Sequence, residues 1–234
     1  MEMKANEAQL PSCFSNVPAF EMLGTFAALA TILALMLHLH LDYLAFIALG
    51  PGGTPSTLSG FTKLKLLSFF AISDPYKPRL APRGDDLGGY LTGLQNRSGD
   101  RPVTSGIAPH RQATAKASQK THEKLSHEIV AMPATFPALV VGVSCFEGHG
   151  IALFNRLCTK QAEICHIHTS DGSMHMVLGN SDSKLVLDAG WGERHPLSRG
   201  GWFERFVPAG FMMIYAPQDE ADVETVLRIV RAAA

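Results

Sequence analysis

The sequence predicts an α+β protein: an N-terminal transmembrane helix followed by one domain with a mainly antiparallel sheet and flanking helices. Three observations carry this. Residues 22–41 (MLGTFAALATILALMLHLHL) hold no formal charge, and about 20 apolar residues in a helix span a bilayer core. Residues 138–178 hold short β-branched and aromatic runs broken by glycines and an Asp-Gly turn, the mark of hairpin-linked strands. Near the C-terminus Val223, Val226, Leu227 and Val230 recur at helical spacing. Helices, then strands, then a closing helix make an α+β domain.

The elements follow in chain order. The apolar run is bounded by Glu21 and Asp42, with His38, His40 and Tyr43 placed for the headgroup level. A cleaved signal peptide and a buried core helix compete with an anchor. The run is long, starts late and lacks a small-residue cleavage site, which favours the anchor. Lys63, Lys65, Lys77, Arg79 and Arg83 follow it, so the positive-inside tendency puts the C-terminal domain in the cytosol, with the endoplasmic reticulum as the expected membrane. The division expected is a tail and anchor over 1–49, a connector and irregular region over 50–108, and the α+β domain over 109–234.

Residues 49–60 (LGPGGTPSTLSG) read as a connector. Residues 63–72 are too short to span and suit a surface or first core helix. Residues 74–86 form a proline-punctuated loop, and 97–109 are irregular. Residues 109–132 predict a helix opened by Pro109, with Arg111, Lys116, Lys120 and Lys124 along it. That basic face is either solvated or set against anionic lipid headgroups. Strands follow within 138–154, with a bulge expected near Gly148, then near 163–168, 174–178 and 211–215. The last helix is expected over 219–232.

Composition narrows the function classes. The 234 residues carry a net charge of -1, 46% hydrophobic and 18% charged residues. The low charged share suits a chain partly in lipid. A near-neutral balance argues against nucleic-acid partners. Cys13, Cys145, Cys158 and Cys165 show no CxxC pairing, so a reducing compartment is expected.

The segment CHIHTSDGSMHMVL gathers three of the ten histidines. A two-residue Asp171-Gly172 turn would set His168 opposite His175. Side-chain alternation then puts Cys165, Ile167, Met174, Met176 and Leu178 on one face. His166, His168 and His175 share the other, with Ile164 and Val177. Three readings stand: a solvated histidine face, a metal triad of His166, His168 and His175, or a metal-free acid–base site. In GWGERHPLSRGG, Trp191, Arg194 and His195 sit in a glycine-flanked loop, and Arg194 suits an enolate, carboxylate or peroxide anion. In SCFEGHG, Glu147 and His149 lie two apart, hence on one strand face.

The ordered set HIH, DGSMHMVL, GWGERHPL and MIYAPQDEADVETVLRIV resembles the fungal luciferase family, with SCFEGH, RPVTSGIAPHRQ and the connector upstream. The resemblance runs from about residue 49 to the C-terminus. It implies a membrane-anchored oxygenase using O2 as co-substrate, with no organic cofactor and no metal. The implied substrate is a hydroxylated styryl-pyrone of the 3-hydroxyhispidin type, or another pyrone or phenolic metabolite in members that do not glow. A cyclic peroxide would form and break down with CO2 loss and possible light. The matching positions are His166, His168, Asp171, His175, Trp191, Gly192, Arg194, His195, Pro196, Tyr215 and Pro217, with Glu147 and His149 alongside. From these, His166, His168, His175, Arg194 and His195 are expected to be catalytic. Glu147, His149, Asp171, Trp191 and Tyr215 are expected to bind substrate. A metal-dependent histidine-triad enzyme and a non-catalytic pyrone-binding module are the competing functions.

Overall fold

The computed structural model describes residues 19–79, 89–158 and 163–234. Lys4, Cys13 and Arg83, with the rest of the N-terminal tail and part of the proline-rich loop, lie outside the described residues. The chain forms two compact units, Met1–Leu44 and Ala45–Ala234.

The first unit carries most of α1, Ala19–Ala48. Within it, Glu21–Ala48 is long and apolar enough to cross a membrane, and its apolar window is wholly unburied. Leu23, Phe26, Leu33 and Met36 all stand exposed. A helix of a soluble core buries an apolar stripe, so the core-helix reading of this run is set aside.

The second unit is α+β. Helix α2, Leu58–Ser68, starts inside the stretch expected as connector, because Thr57 caps it: its Oγ1 accepts from the Gly60 N–H at 3.2 Å. Strands β1 (Thr104–Gly106) and β2 (His110–Gln112) form an antiparallel ribbon. This corrects the helix expected from residue 109. The backbone of residues 110–112 bonds to β1, and all three side chains are buried. Helix α3, Gln119–Thr135, begins only after Ser118, whose Oγ accepts from the Thr121 N–H at 3.2 Å. It carries Pro133 within it. On its outer side Lys120 and Lys124 pair with Glu220 at 3.0 and 3.1 Å.

The main sheet has six strands: β3 (Leu139–Val143), β4 (Ile151–Asn155), β5 (Glu163–Ile167), β6 (Met174–Val177), β7 (Gly192–Arg194) and β8 (Phe211–Ile214). Their order is β3-β4-β5-β6-β8-β7, and every pairing is antiparallel. The bulge expected near Gly148 falls instead between Leu153 and Phe154. Helix α4 (Asn180–Asp188), strand β7 and a 3-10 turn (Gly201–Arg205) occupy stretches with no predicted element. Helix α5, Glu220–Ala233, is capped by Asp219 accepting from the Asp222 N–H at 2.8 Å.

One face of the sheet takes α3 and α5. Leu125, Ile129, Val226 and Leu227 meet Cys165, Ile167, Met174 and Met176 in a common core. Each such apolar side chain is worth about 1.5–3 kcal/mol relative to exposure. The other face carries the histidines.

Candidate functional site

The β5–β6 hairpin keeps its expected faces but not its expected register. His166 lies opposite His175, and Ile167 opposite Met174. The loop has four residues, closed by His168 N–H bonding to Ser173 O at 2.8 Å and Gly172 N–H to His168 O at 2.9 Å. Gly172 sits at φ +78, a conformation suited to glycine. The register is thus two residues away from a His168–His175 pairing. A shift of two preserves every side chain's face, where a shift of one would reverse it.

Adjacent strands extend the row. His175 lies opposite Met213 on β8, and Met213 opposite Glu193 on β7. His166, His175, Met213 and Glu193 therefore run across the sheet on one face, neighbours about 4.5–5.5 Å apart at Cβ. Gly192 precedes Glu193 because a Cβ there would come within 2.3 Å of Met213 O. The β1–β2 ribbon adds His110 and Arg111. The result is five buried histidines: His110, His166, His168, His175 and His195, each at most 5% exposed.

Each ring has a defined set of partners. His166 Nδ1 is 2.7 Å from Glu163 Oε1, and a carboxylate only accepts, so Nδ1 carries the proton. Ser173 Oγ donates to Asp171 Oδ1, so it accepts from His168 Nδ1–H at 2.8 Å. His110 Nε2 lies 3.2 Å from Glu193 Oε1 and donates to it. His110 Nδ1 is 3.2 Å from His175 Nε2. With a neutral His110, Nδ1 accepts, and His175 Nε2 carries the proton. That leaves lone pairs on His166 Nε2, His168 Nε2 and His175 Nδ1. The last stands 3.1 Å from His168 Nε2 and 3.3 Å from His166 Nε2.

Burial, the largest cause, favours the neutral form. It lowers His168 to about 4, and it holds His175 and His195 well below the usual histidine range. Burial pushes Asp171 upward, but the neighbouring His168 ring and hydrogen bonds from Ser173 outweigh it and bring the carboxyl down to about 2. Glu147 is likewise raised by burial and lowered further by Arg111. Arg111 grips that carboxylate with both terminal nitrogens, Nη1 at 3.2 Å from Oε1 and Nη2 on Oε2. A carboxylate oxygen of Glu147 and one ring nitrogen each of His166, His168 and His175 all lie within 4.8 Å of one another.

Of the residues predicted for the site, His166, His168, His175, His195, Glu147 and Asp171 come together here. His149 lies beside Glu147, its Nδ1 2.9 Å from the Glu147 carbonyl, and is partly exposed. Arg111 grips the Glu147 carboxylate, and His149 Nε2 stands farther off, 3.8 Å from Oε2. Tyr215 joins indirectly, donating to Glu193 Oε2 at 2.8 Å. Arg194 does not join. Alternation along β7 sends Glu193 to the histidine face and Arg194 to the opposite one. There Arg194 bonds to Ser198 O and lines a cavity of about 360 Å³ with Lys77 and Arg199. Trp191 does not join either: it packs in the helix-side core and donates to Gln95 O at 2.7 Å. The aromatic rings that meet the histidines are Phe211, 4.9 Å from His175, and Phe146, 6.2 Å from His166.

Sequence reasoning did not assign His110, Arg111, Glu163, Ser173, Glu193, Phe146 or Phe211 to the site. His110 and Arg111 lie in RPVTSGIAPHRQ, a stretch already singled out. Their helical reading hid them: it put Arg111 on a basic face, either solvated or set against lipid headgroups, and gave His110 no role.

A family model described as Luciferase domain matches residues 161–233. A protein named Luciferase from Neonothopanus nambi is 29% identical over 82% of this chain and 78% of its own. Proteins of the same name from Armillaria mellea and Armillaria ostoyae are each 28% identical, over 88% and 83% of this chain and 83% and 80% of their own. No solved structure gives a significant match. The matched domain spans the hairpin histidines, Glu193, His195 and Tyr215. Glu147 and the β1–β2 ribbon lie upstream of it.

Proposed function

We propose, from its likeness to the luciferase domain and to fungal proteins named Luciferase, that the chain is a member of the fungal luciferase family and a membrane-anchored oxygenase. Its substrate in this reading is a hydroxylated pyrone of the styryl type. O2 adds to the deprotonated ring, and the peroxide breaks down with loss of CO2, with light as a further outcome. The observation that carries this is the convergence of buried ring nitrogens of His166, His168 and His175. A hydroxypyrone bound there meets an unprotonated nitrogen, His168 Nε2 or His175 Nδ1, as its proton acceptor. The enolate left behind is electron-rich enough to react with O2.

Other residues support the same chemistry. Glu163, Asp171 with Ser173, and His110 with Glu193 fix the ring orientations, so no reorganisation is needed as charge develops. Phe146 and Phe211, in tilted contact at 5.0 Å, give an apolar wall suited to a styryl ring. This wall takes the role expected of Trp191 and Tyr215. In this reading helix α1 is the membrane anchor, and an apolar pyrone would partition into the same lipid.

The test is oxygen consumption with simultaneous photon counting, on membranes expressing the chain, after addition of 3-hydroxyhispidin. Membranes carrying the His168→Ala/His175→Ala variant are the control. Uptake in the first and none in the second is expected. Uptake without light keeps the oxygenase and removes luminescence. Equal uptake in both sinks the assignment.

A further inference from the structure

We propose that His166, His168, His175 and Glu147 bind a divalent first-row transition-metal ion. The inference stands on the geometry of the cluster and is independent of the oxygenase reading.

The first argument is protonation. His166 Nδ1–H is bound to Glu163 and His168 Nδ1–H to Ser173. His175 Nε2 bonds to His110 Nδ1, whose ring donates its other N–H to Glu193. In this arrangement the inner nitrogens carry three lone pairs within a few ångströms and no proton among them. Lone pairs at 3.1 and 3.3 Å repel unless something positive lies between. A proton bridges two of them. A metal ion satisfies all three.

The second argument is distance. Metal–imidazole bonds of about 2.0–2.1 Å put neighbouring ligand nitrogens roughly 2.9–3.4 Å apart in octahedral or tetrahedral sites. The separations of 3.1 and 3.3 Å fall in that window. The Glu147 carboxylate, within 4.8 Å of the same nitrogens, is the fourth ligand.

The third is the surrounding shell. Metal-ligating histidines characteristically donate their other N–H to a carboxylate, carbonyl or similar acceptor, which fixes ring and tautomer. All three do so here, directly or through one group: Glu163 for His166, Ser173 and Asp171 for His168, His110 and Glu193 for His175. Arg111 steadies Glu147 in the same way.

The fourth is charge. Glu147, Glu163, Asp171 and Glu193 are each at most 8% exposed. Arg111 pairs with Glu147. The other three bond to histidines, hydroxyls and backbone N–H groups, with no Lys or Arg among their partners in the described residues. Buried carboxylates call for a compensating cation, and a dication at the lone pairs provides it.

A second grouping, His110, His175 and His195, also has ring nitrogens close together. It is a poorer site. His195 Nδ1 already accepts from the Leu197 N–H at 3.1 Å, and both nitrogens of His110 are engaged. Three imidazoles and one carboxylate select a transition ion such as Fe2+, Co2+ or Zn2+ over Ca2+ or Mg2+, which prefer all-oxygen shells. Proton removal from a hydroxypyrone is served by either occupant: an imidazole takes the proton, whereas a cation lowers the pKa of an oxygen bound to it.

The experiment uses the full chain, purified in detergent, stripped with a chelator and dialysed. Co2+ is the probe, read by its visible absorption bands and by the thermal midpoint. One Co2+ per chain, new bands and a rise of several degrees are expected, with no rise in equal Mg2+. His166→Gln/His168→Gln, folded by circular dichroism, should lose the bands. Glu163→Gln, which touches no metal, should keep them with affinity lowered about 10–100-fold. If the double variant does not fold, Glu163→Gln and Glu147→Gln carry the comparison. No bands at millimolar Co2+, or unchanged binding in the variants, overturns the inference and assigns the cluster a shared proton on His175 Nδ1. Oxygen uptake on 3-hydroxyhispidin is measured on the same samples. Co2+ binding without uptake under any metal keeps the ion and removes the oxygenase reading. Uptake by protein that binds no Co2+ does the reverse.

Discussion

His168 Nε2 and His175 Nδ1 stand 3.1 Å apart, each on a ring whose other nitrogen is held, by Ser173 Oγ and by His110 Nδ1. The pair therefore acts as one unit whose orientation is set from outside. Ser173→Ala removes the acceptor from His168 Nδ1 and leaves Asp171 Oδ1 at 3.8 Å, too far for a direct bond. Oxygen uptake should fall about 10–100-fold, as for other groups that orient a site from behind. Ser126→Ala is the matched control, because that buried hydroxyl has no partner among the described residues. Unchanged uptake in Ser173→Ala would remove the orienting role.

Arg111 and Glu147 form a buried bidentate pair, with side chains 7% and 8% exposed. Removing one partner strands a charge. Arg111→Met should destabilise the fold by about 3–5 kcal/mol. Arg111→Met/Glu147→Leu should recover much of that, since the double change leaves no unpaired ion. Urea unfolding of the three proteins measures both numbers. Equal stability of the single variant and the parent would show that the pair is not buried as described.

Glu193 gives a prediction in pH. Burial raises its pKa, but hydrogen bonds from His110, Thr104 and Tyr215 outweigh burial and bring it below the ordinary 4.5. The unfolded chain then binds the proton first on acidification. Glu193 thus contributes stability that is present above about pH 4.5 and lost as pH falls through the lower folded value. Glu193→Gln should flatten that part of the stability profile. The Tyr215 phenol is raised, chiefly by burial and then by Glu193, so it stays a donor across this range. A Gln variant with the parent's acid slope would contradict the assignment.

The face of each hairpin residue was legible in the sequence because a strand's period is two. The register was not, since Asp-Gly serves a two-residue turn and the end of a longer loop equally well. Here Asp171 settles the matter by accepting from the Ser173 N–H at 2.9 Å, a contact that no pattern announces. His110 was hidden for a different reason. Residues 109–132 hold no interior glycine or proline, which suits a helix, yet the first of them are drawn into a ribbon by burial against the site. Arg194 shows the converse failure. It lies one residue from Glu193 and His195 in sequence, and strand alternation alone removes it from the cluster. Composition found the apolar span at once, because an uncharged apolar run of that length stands out from the rest of the sequence.

That span yields the last prediction. Leu23, Phe26, Leu33 and Met36 are each more than 60% exposed, and an apolar helix of this length is stable in lipid and aggregates in water. The second compact unit begins at Ala45 and retains Phe46, which packs on Phe61 with ring centroids 5.9 Å apart. A chain starting at Ala45 therefore loses the apolar surface without losing the core. It should stay in the supernatant of carbonate-washed membranes, while the full chain pellets. Its circular dichroism, corrected for the missing helix, and its oxygen uptake should match the full chain in detergent. A truncated chain that still pellets would move the membrane contact to the basic α2 or α3 surface. A full chain found processed and soluble would instead make α1 a cleaved signal.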